Sequence, residues 1–239
     1  AELQLRYQSL HCALTGLPNR VLFIDRLEVA LSRLNRQPGG VGVLFLDLDG
    51  FKWINDSLGH HRGDEVLVEV ARRLDSVLRP YDSAARHGGD EFLILTEASG
   101  GTEEITTLGD RIREVLVPPI VLEDGDEVRV TASVGISQTT NANTTAASML
   151  RDADAAMYRA KRGGRDRLTT FDESMRNEAD HRVQLLAQLH RATEENQFTV
   201  HYQPIIYLAT GRTHGWESLP PWQRPDRPRV APGQFAELL

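Results

Sequence analysis

Val41-Gly42-Val43-Leu44-Phe45-Leu46-Asp47-Leu48-Asp49 is the stretch around which the rest of the chain organises. A continuous apolar run of this length, without polar alternation, suits a strand buried on both faces. Two carboxylates, Asp47 and Asp49, stand at its C-terminal end. Upstream, residues 18–36 read as a helix: Pro18 suits a first turn, Leu22, Ile24, Leu27, Leu31 and Leu34 form a stripe, and Gln37-Pro38-Gly39-Gly40 stops it. Downstream, a short polar stretch precedes a helix over 63–78, with Val66, Leu67, Val70, Leu74 and Leu78 on one side. Residues 83–86 and 91–96 read as strands joined through His87-Gly88-Gly89-Asp90, a glycine-rich hairpin turn. A helix over 103–116, a turn at Glu123-Asp124-Gly125-Asp126 and an alternating strand over 128–137 follow. A helix over 146–162, ended by Gly163-Gly164, and a short strand over 167–171 complete the series.

This order lacks strict βαβ alternation. The expected class is α+β, a mostly antiparallel central sheet flanked by helices. Residues 173–195 read as a further amphipathic helix and 198–207 as a strand, whereas the proline-rich stretch 219–233 excludes a regular element. The family resemblances described below imply domains over 1–172 and 173–239. The strand over 198–207 is expected to lack sheet neighbours and to be loosely held.

With 40% hydrophobic and 26% charged residues over 239 positions, the composition is that of a globular protein and excludes a fibrous repeat. No run approaches the roughly 18 apolar residues of a membrane span, and the first residues show no basic start followed by an apolar core. A cytoplasmic protein without direct membrane contact is the expectation. The single cysteine, Cys12, excludes an internal disulfide and a cysteine-based zinc site. A net charge of −7 argues against a nucleic-acid polymer as partner. Of the 27 basic residues all but Lys52 and Lys161 are arginine.

Asp47 and Asp49 end a buried strand, and Asp90 and Glu91 follow a double glycine. If the two strands are neighbours, these acids converge on one sheet edge. A few hard oxygen ligands suit Mg²⁺, which keeps the rest of its shell for water and phosphate oxygens. A second signal is Asp49-Gly50-Phe51-Lys52-Trp53-Ile54-Asn55-Asp56, with Gly63-Asp64 beyond it. Backbone N–H groups after a strand bind phosphate, with a lysine as counter-charge. An Asn amide meets the O6 and N7 acceptors of guanine, and a carboxylate accepts from its N1–H and N2–H. Each feature taken alone also fits turn chemistry and helix capping.

Together they are no longer generic. Arg86-His87-Gly88-Gly89-Asp90-Glu91-Phe92 resembles the signature of the GGDEF family, the diguanylate cyclases. The resemblance runs from about residue 10 to 171 and includes Leu14-Thr15-Gly16-Leu17-Pro18-Asn19-Arg20, Asp47-Leu48-Asp49-Gly50-Phe51-Lys52, and Ala153-Asp154-Ala155-Ala156-Met157-Tyr158-Arg159-Ala160-Lys161 with Gly164-Arg165. It implies a nucleotidyl-cyclase, palm-like fold and the joining of two GTP into cyclic di-GMP and two pyrophosphates. It places Mg²⁺ (or Mn²⁺) on Asp47, Asp90 and the Leu48 carbonyl. GTP contacts fall on Phe51, Lys52, Asn55, Asp64, Gly88, Gly89, Lys161 and Arg165. Asp90, or Glu91 beside it, would help remove the 3′-hydroxyl proton. Because one subunit holds one GTP, the working enzyme would be an antiparallel homodimer.

Arg79-Pro80-Tyr81-Asp82 matches the family's product-binding RxxD motif, through which cyclic di-GMP inhibits, and Arg111 falls where a second arginine often joins it. One position departs from the family. Cys12 stands where an Asp usually pairs with the signature arginine, so Arg86 is expected to lose that partner and the N-terminal junction to loosen. The alternative to an enzyme is a catalytically silent receptor for GTP or cyclic di-GMP.

The C-terminal residues Tyr202-Gln203-Pro204-Ile205, Gly211, Gly215, Glu217, Leu219 and Trp222 resemble the start of an EAL phosphodiesterase domain. That resemblance implies an incomplete (β/α) barrel with Glu217 as a metal candidate. Ser218 and Pro221 replace the usual Ala and Arg. A complete barrel needs about 240 residues, so no phosphodiesterase activity is expected of this segment.

Overall fold

A computed structural model describes residues 7–37, 39–98, 102–175 and 197–219, together with Gln188, Leu189, Arg191, Ala192, Glu195 and Trp222. The chain divides into two compact units, Ala1–Arg176 and Asn177–Leu239.

In the first unit, helix α1 (Arg20–Arg33) leads into strand β1 (Gly40–Leu48). Helices α2 (Phe51–Leu58) and α3 (His60–Val77) precede strands β2 (Ser83–Gly88) and β3 (Glu91–Ala98). Helix α4 (Thr102–Leu116) is followed by the small strands β4 (Ile120–Val121) and β5 (Glu127–Val128). Strand β6 (Ala132–Thr139), helix α5 (Ala146–Arg162) and strand β7 (Leu168–Thr170) end the unit. The main sheet has five strands in the order β2-β3-β1-β6-β7, antiparallel throughout except for the β6–β7 pair.

Strand β1 lies at the centre and all nine of its residues are buried. Side chains alternate across a strand, so its apolar run splits between two cores. Leu44, Leu46 and Leu48 pack in one with Val66, Val70 and Leu74 of α3 and Ile105 and Ile112 of α4. Val41, Val43 and Phe45 pack in the other with Phe23 and Leu27 of α1 and Met149, Ala153 and Met157 of α5. The result is three layers with helices on both faces of the sheet. A Cβ on Gly135 of β6 would strike the backbone of Ala153 and Met157, so this glycine is what lets α5 lie close on the sheet.

Several expectations change. The polar stretch after β1 is helix α2, because Phe51 and Ile54 bury one side while Trp53 remains 70% exposed. Helix α3 starts at His60, earlier than its apolar stripe indicates. The strand expected over 128–137 is two elements, and β6 is buried from Ala132 to Ser137 without alternating.

In the second unit, β8 (His201–Ile206) is antiparallel to β9 (Thr213–Leu219). This corrects the expectation of an unpartnered strand: the partner comes from residues just before the proline-rich stretch. All six β8 residues are exposed. Trp222 is buried with Leu189 and Ala192 and donates through Nε1 to Gln197 Oε1 at 3.0 Å. The helix expected over 173–195 lies largely outside the described residues. No helix among the described residues is long and apolar enough to cross a membrane.

Candidate active site

The pairing of β1 with β3 sets Asp47 opposite Glu91. The hairpin that returns from β2 contains Gly89 at φ 52°, a left-handed turn that glycine adopts without strain. Its tip is tied to β1 by a hydrogen bond from the Leu48 N–H to the Asp90 carbonyl at 3.3 Å. The two acidic segments therefore meet at one edge of the sheet.

Asp47 is buried, 7% exposed, and the ammonium of Lys161 lies 2.6 Å from its Oδ2. Burial raises the Asp47 pKa, the Lys161 hydrogen bond and charge oppose this, and the nearby Asp90 and Asp49 charges add to the rise. The Glu91 carboxyl is also pushed up, first by burial and then by Asp47, Asp154 and Asp90. Both belong to one cluster of acids in which burial and like charge disfavour the ionised form and Lys161 opposes that effect.

Asp49, two residues on, has a different role. Its Oδ1 accepts from Ser133 Oγ at 2.7 Å; its Oδ2 accepts from Thr131 Oγ1 at 2.8 Å and from the Asp166 N–H at 3.0 Å. It ties the segment after α5 to the sheet. In that segment Arg165 and Asp166 have φ of 60° and 42°, the left-handed region that non-glycine residues seldom occupy. Lys161 is in the last turn of α5, and Arg165 follows two glycines later. Lys161 thus reaches the acidic edge from this segment, and Arg165 is exposed beside it in the chain.

Helix α2 begins immediately after β1 behind Gly50 at φ 73°, with no side-chain cap. The first N–H groups of a helix have no intrahelical acceptor, and here they belong to Phe51 and Lys52. The Phe51 ring is in the core and Lys52 is exposed. Asn55 lies over Gly63 of α3, where any Cβ would collide with Asn55 Oδ1. Asp64, next in the chain, is exposed.

Arg79 and Asp82 precede β2, so they sit at the end of the hairpin away from its tip, about 17 Å off at ~3.3 Å per residue. Asp82 Oδ2 accepts the Arg79 N–H at 2.9 Å, and the Arg79 guanidinium pairs with Glu104 of α4. Arg111, on the same helix, donates to the Val77 carbonyl. Glu217 is exposed on β9, opposite Gln203.

Arg86 keeps a partner, contrary to expectation. Its Nη1 is 3.4 Å from Cys12 Sγ, and its Nε and Nη2 donate to the Gly89 carbonyl at 3.0 and 2.7 Å. Burial raises the Cys12 pKa, yet hydrogen bonds from Thr15, Arg86 and Leu14 outweigh it and bring the thiol to about 7. A thiol near its ionisation point stands where the family carries a carboxylate.

Two neighbours of the acids carry no role in the sequence reading. His87 Nε2 is 4.0 Å from Glu91 Oε2, and Asp154 of α5 acts electrostatically on Glu91 and His87. The spacing of Asp154 and Lys161, two helical turns apart, is the signal that places them on one face. Among the described residues no three His, Cys, Asp or Glu side chains form a metal-ligating group. The carboxylates of Asp47 and Glu91, both facing Lys161, with Asp90 close enough to act on each, are a sparse hard-oxygen set of the kind that Mg²⁺ supplements with phosphate oxygens.

The sheet order and its flanking helices define an α+β domain with a mixed five-stranded sheet, and comparison with known proteins gives the family. Residues 9–167 match the family model described as Diguanylate cyclase, GGDEF domain, and the chain belongs to the GGDEF family. It is 40% identical over 238 residues to the bifunctional diguanylate cyclase/cyclic di-GMP phosphodiesterase MucR of Pseudomonas aeruginosa. That match covers 100% of this chain but 34% of MucR, so the chain spans about a third of that relative's length. Among solved structures, the GGDEF domain of YfiN (TpbB) from Pseudomonas aeruginosa superposes with a TM-score of 0.63 at 40% identity, over 66% of this chain and 98% of that one. The coiled coil and GGDEF domain of DgcB from Caulobacter crescentus, solved in complex with c-di-GMP, superposes with a TM-score of 0.66 at 31% identity, over 71% of this chain and 89% of that one.

Proposed function

We propose that this chain is a diguanylate cyclase that condenses two GTP into cyclic di-GMP and two pyrophosphates. The observation that carries the reading is the convergence of Asp47, Asp90, Glu91 and Lys161 on one sheet edge, beside the uncapped N-terminus of α2. Asp47, Asp90 and the Leu48 carbonyl would hold Mg²⁺ or Mn²⁺. Bound there, the ion neutralises triphosphate oxygens and stabilises charge on the attacking and leaving oxygens.

The chain's own groups do the rest. The Phe51 and Lys52 N–H groups at the start of α2 bind phosphate oxygens, helped by the helix dipole. Lys52, Lys161 and Arg165 supply counter-charge to the triphosphate. Gly88 and Gly89 leave room for the nucleotide beside the hairpin. Asn55, positioned by Gly63, and Asp64 read the guanine edge. Glu91, whose carboxyl is pushed upward by burial, accepts the proton of a 3′-hydroxyl more readily than an ordinary carboxylate. Asp90 lies beside it for the same task. Each site holds one GTP, so two copies of the chain face each other with their hairpin edges opposed.

In this reading product binds away from the active site, at Arg79 and Asp82, with Arg111 as a further contact. Because Arg79 is engaged by Glu104, cyclic di-GMP has to displace that carboxylate. Residues 1–172 form the cyclase domain and residues 173–239 the opening of an EAL domain, in which Glu217 would be a metal ligand. The alignment with a bifunctional relative, which runs through residues 173–239 as well as the cyclase domain, supports that assignment.

The test is direct. The chain is incubated with GTP and Mg²⁺, and the products are separated by chromatography. Cyclic di-GMP is expected from the wild type and none from Asp47→Asn or Asp90→Asn; absence of product from the wild type overturns the reading.

A further inference from the structure

We propose that Lys161 is a placeholder for the divalent cation, holding Asp47 until metal and nucleotide arrive together and then passing to the triphosphate. The inference rests on the cyclase reading of this site and concerns the order in which the site fills.

Its basis is one contact and its surroundings. Lys161 Nζ lies 2.6 Å from Asp47 Oδ2, with the carboxylate side chain 9% and the lysine side chain 29% exposed. Asp47 also faces the charges of Asp90 and Asp49, and Glu91 faces Asp47, Asp90 and Asp154. Lys161 acts on Asp47, Glu91 and Asp154. Lys161 thus counters the charge of this acidic edge, with His87 also acting on Asp154.

A divalent ion arriving alone meets two obstacles. It is repelled by the ammonium, and it has to strip Asp47 from Lys161 without offering the lysine another partner. An unpaired charge at a half-buried position is costly. An ion that arrives with a triphosphate removes both obstacles, since phosphate oxygens accept the displaced ammonium. The scaffold suits such an exchange. The backbone of the segment after α5 is tied to the sheet through Asp49, so only the flexible four-carbon stem of the lysine has to turn. Coupling of this kind is reciprocal: nucleotide tightens metal by the factor by which metal tightens nucleotide.

The experiment measures Mn²⁺ binding to the full chain at pH 8 by electron paramagnetic resonance of the free ion, with and without a non-hydrolysable GTP analogue, each titration set against one with the analogue and no protein. In the wild type, Mn²⁺ binds weakly alone and much more tightly with the analogue. In Lys161→Met, Mn²⁺ alone binds about tenfold tighter, as expected when a unit charge a few ångströms away is removed, and the analogue tightens it by a smaller factor than in the wild type. Lys161→Arg, which keeps the charge, behaves like the wild type. Adding Asp47→Asn to Lys161→Met abolishes the gain, which locates the ion. Unchanged or weaker Mn²⁺ binding by Lys161→Met, or a gain that survives Asp47→Asn, overturns the proposal. No turnover enters these titrations, so they stand apart from the cyclase reading, which fails if the wild type yields no cyclic di-GMP.

Discussion

The backbone N–H of Asp166 donates to Asp49 Oδ2 at 3.0 Å, joining residues 117 positions apart in the chain. The end of β1 and the segment carrying Lys161 and Arg165 are thereby one structural piece. Asp49 has three donors to satisfy, Thr131 Oγ1, Ser133 Oγ and Asp166 N–H. Asp49→Ala strands all three, and is expected to cost about 1–3 kcal/mol of stability. Arg165 and Asp166 are held in left-handed conformations, and if Arg165 contacts the triphosphate as proposed, their release is expected to weaken GTP binding as well. A lower melting temperature together with a raised KM for GTP is the expected result, checked by thermal melts and initial rates.

In the proposed reading, base choice rests with Asn55 and Asp64. Their donor and acceptor groups match guanine, and the edge of adenine reverses that pattern. ATP would leave polar groups unpaired in the site, so it is expected to be a very poor substrate, with discrimination of about 10⁴-fold or more in kcat/KM. Steady-state rates with the two nucleotides measure this directly, and comparable turnover contradicts the assignment.

The proposed product site makes inhibition a contest for Arg79, which is held by Glu104. Arg79→Ala is expected to relieve inhibition by cyclic di-GMP while leaving the initial rate intact. Glu104→Gln removes the competing carboxylate and is expected to strengthen inhibition by about two- to fivefold, the scale of an exposed ion pair. Inhibition curves for the two variants move in opposite directions if the site is correctly placed. Curves that coincide with the wild type make Arg79–Glu104 a surface ion pair and nothing more.

A pH effect on stability comes from Glu69. Its pKa is lowered to about 2, first by the hydrogen bond from Arg72 and then by Arg73. Arg73 in turn donates to the carbonyl of Pro119 at 2.8 Å, bracing α3 against the chain beyond α4. The native pKa is below the ordinary glutamate value, so the contribution is complete above about pH 4.5 and is lost as pH falls towards 2. Glu69→Gln is expected to be less stable than the wild type by about 1–2 kcal/mol at pH 7. The gap should close as the acid range is entered, which thermal melts from pH 7 to pH 2.5 will record.

Much of this architecture was legible before any coordinates. The apolar run over 41–46 announced a strand buried on both faces because both alternating sets of its side chains are apolar. The glycines at 88 and 89 marked the hairpin, and the resemblance of five separated motifs pointed to the family. Helix α2 was not legible: eight residues with only Phe51 and Ile54 buried are too short a pattern for periodicity to register. The pairing of β8 with β9 escaped for a related reason, since Thr213–Leu219 mixes polar and apolar residues without clean alternation and ends at a proline-rich segment.

The local sequence determines what a segment prefers to be, through side-chain volume, backbone freedom and the spacing of apolar groups. That was enough for the central strand, the turn and α5. It does not determine which distant groups become neighbours. Cys12 reaches Arg86, Asp49 holds Asp166, Glu104 takes Arg79 and Lys161 settles on Asp47 only after the sheet has assembled and α5 has packed across it. Those pairings are choices among many carboxylates and cations of similar intrinsic affinity. Burial and the fixed geometry of the closed fold decide between them, because only there are the partners held within hydrogen-bonding distance and partly shielded from water.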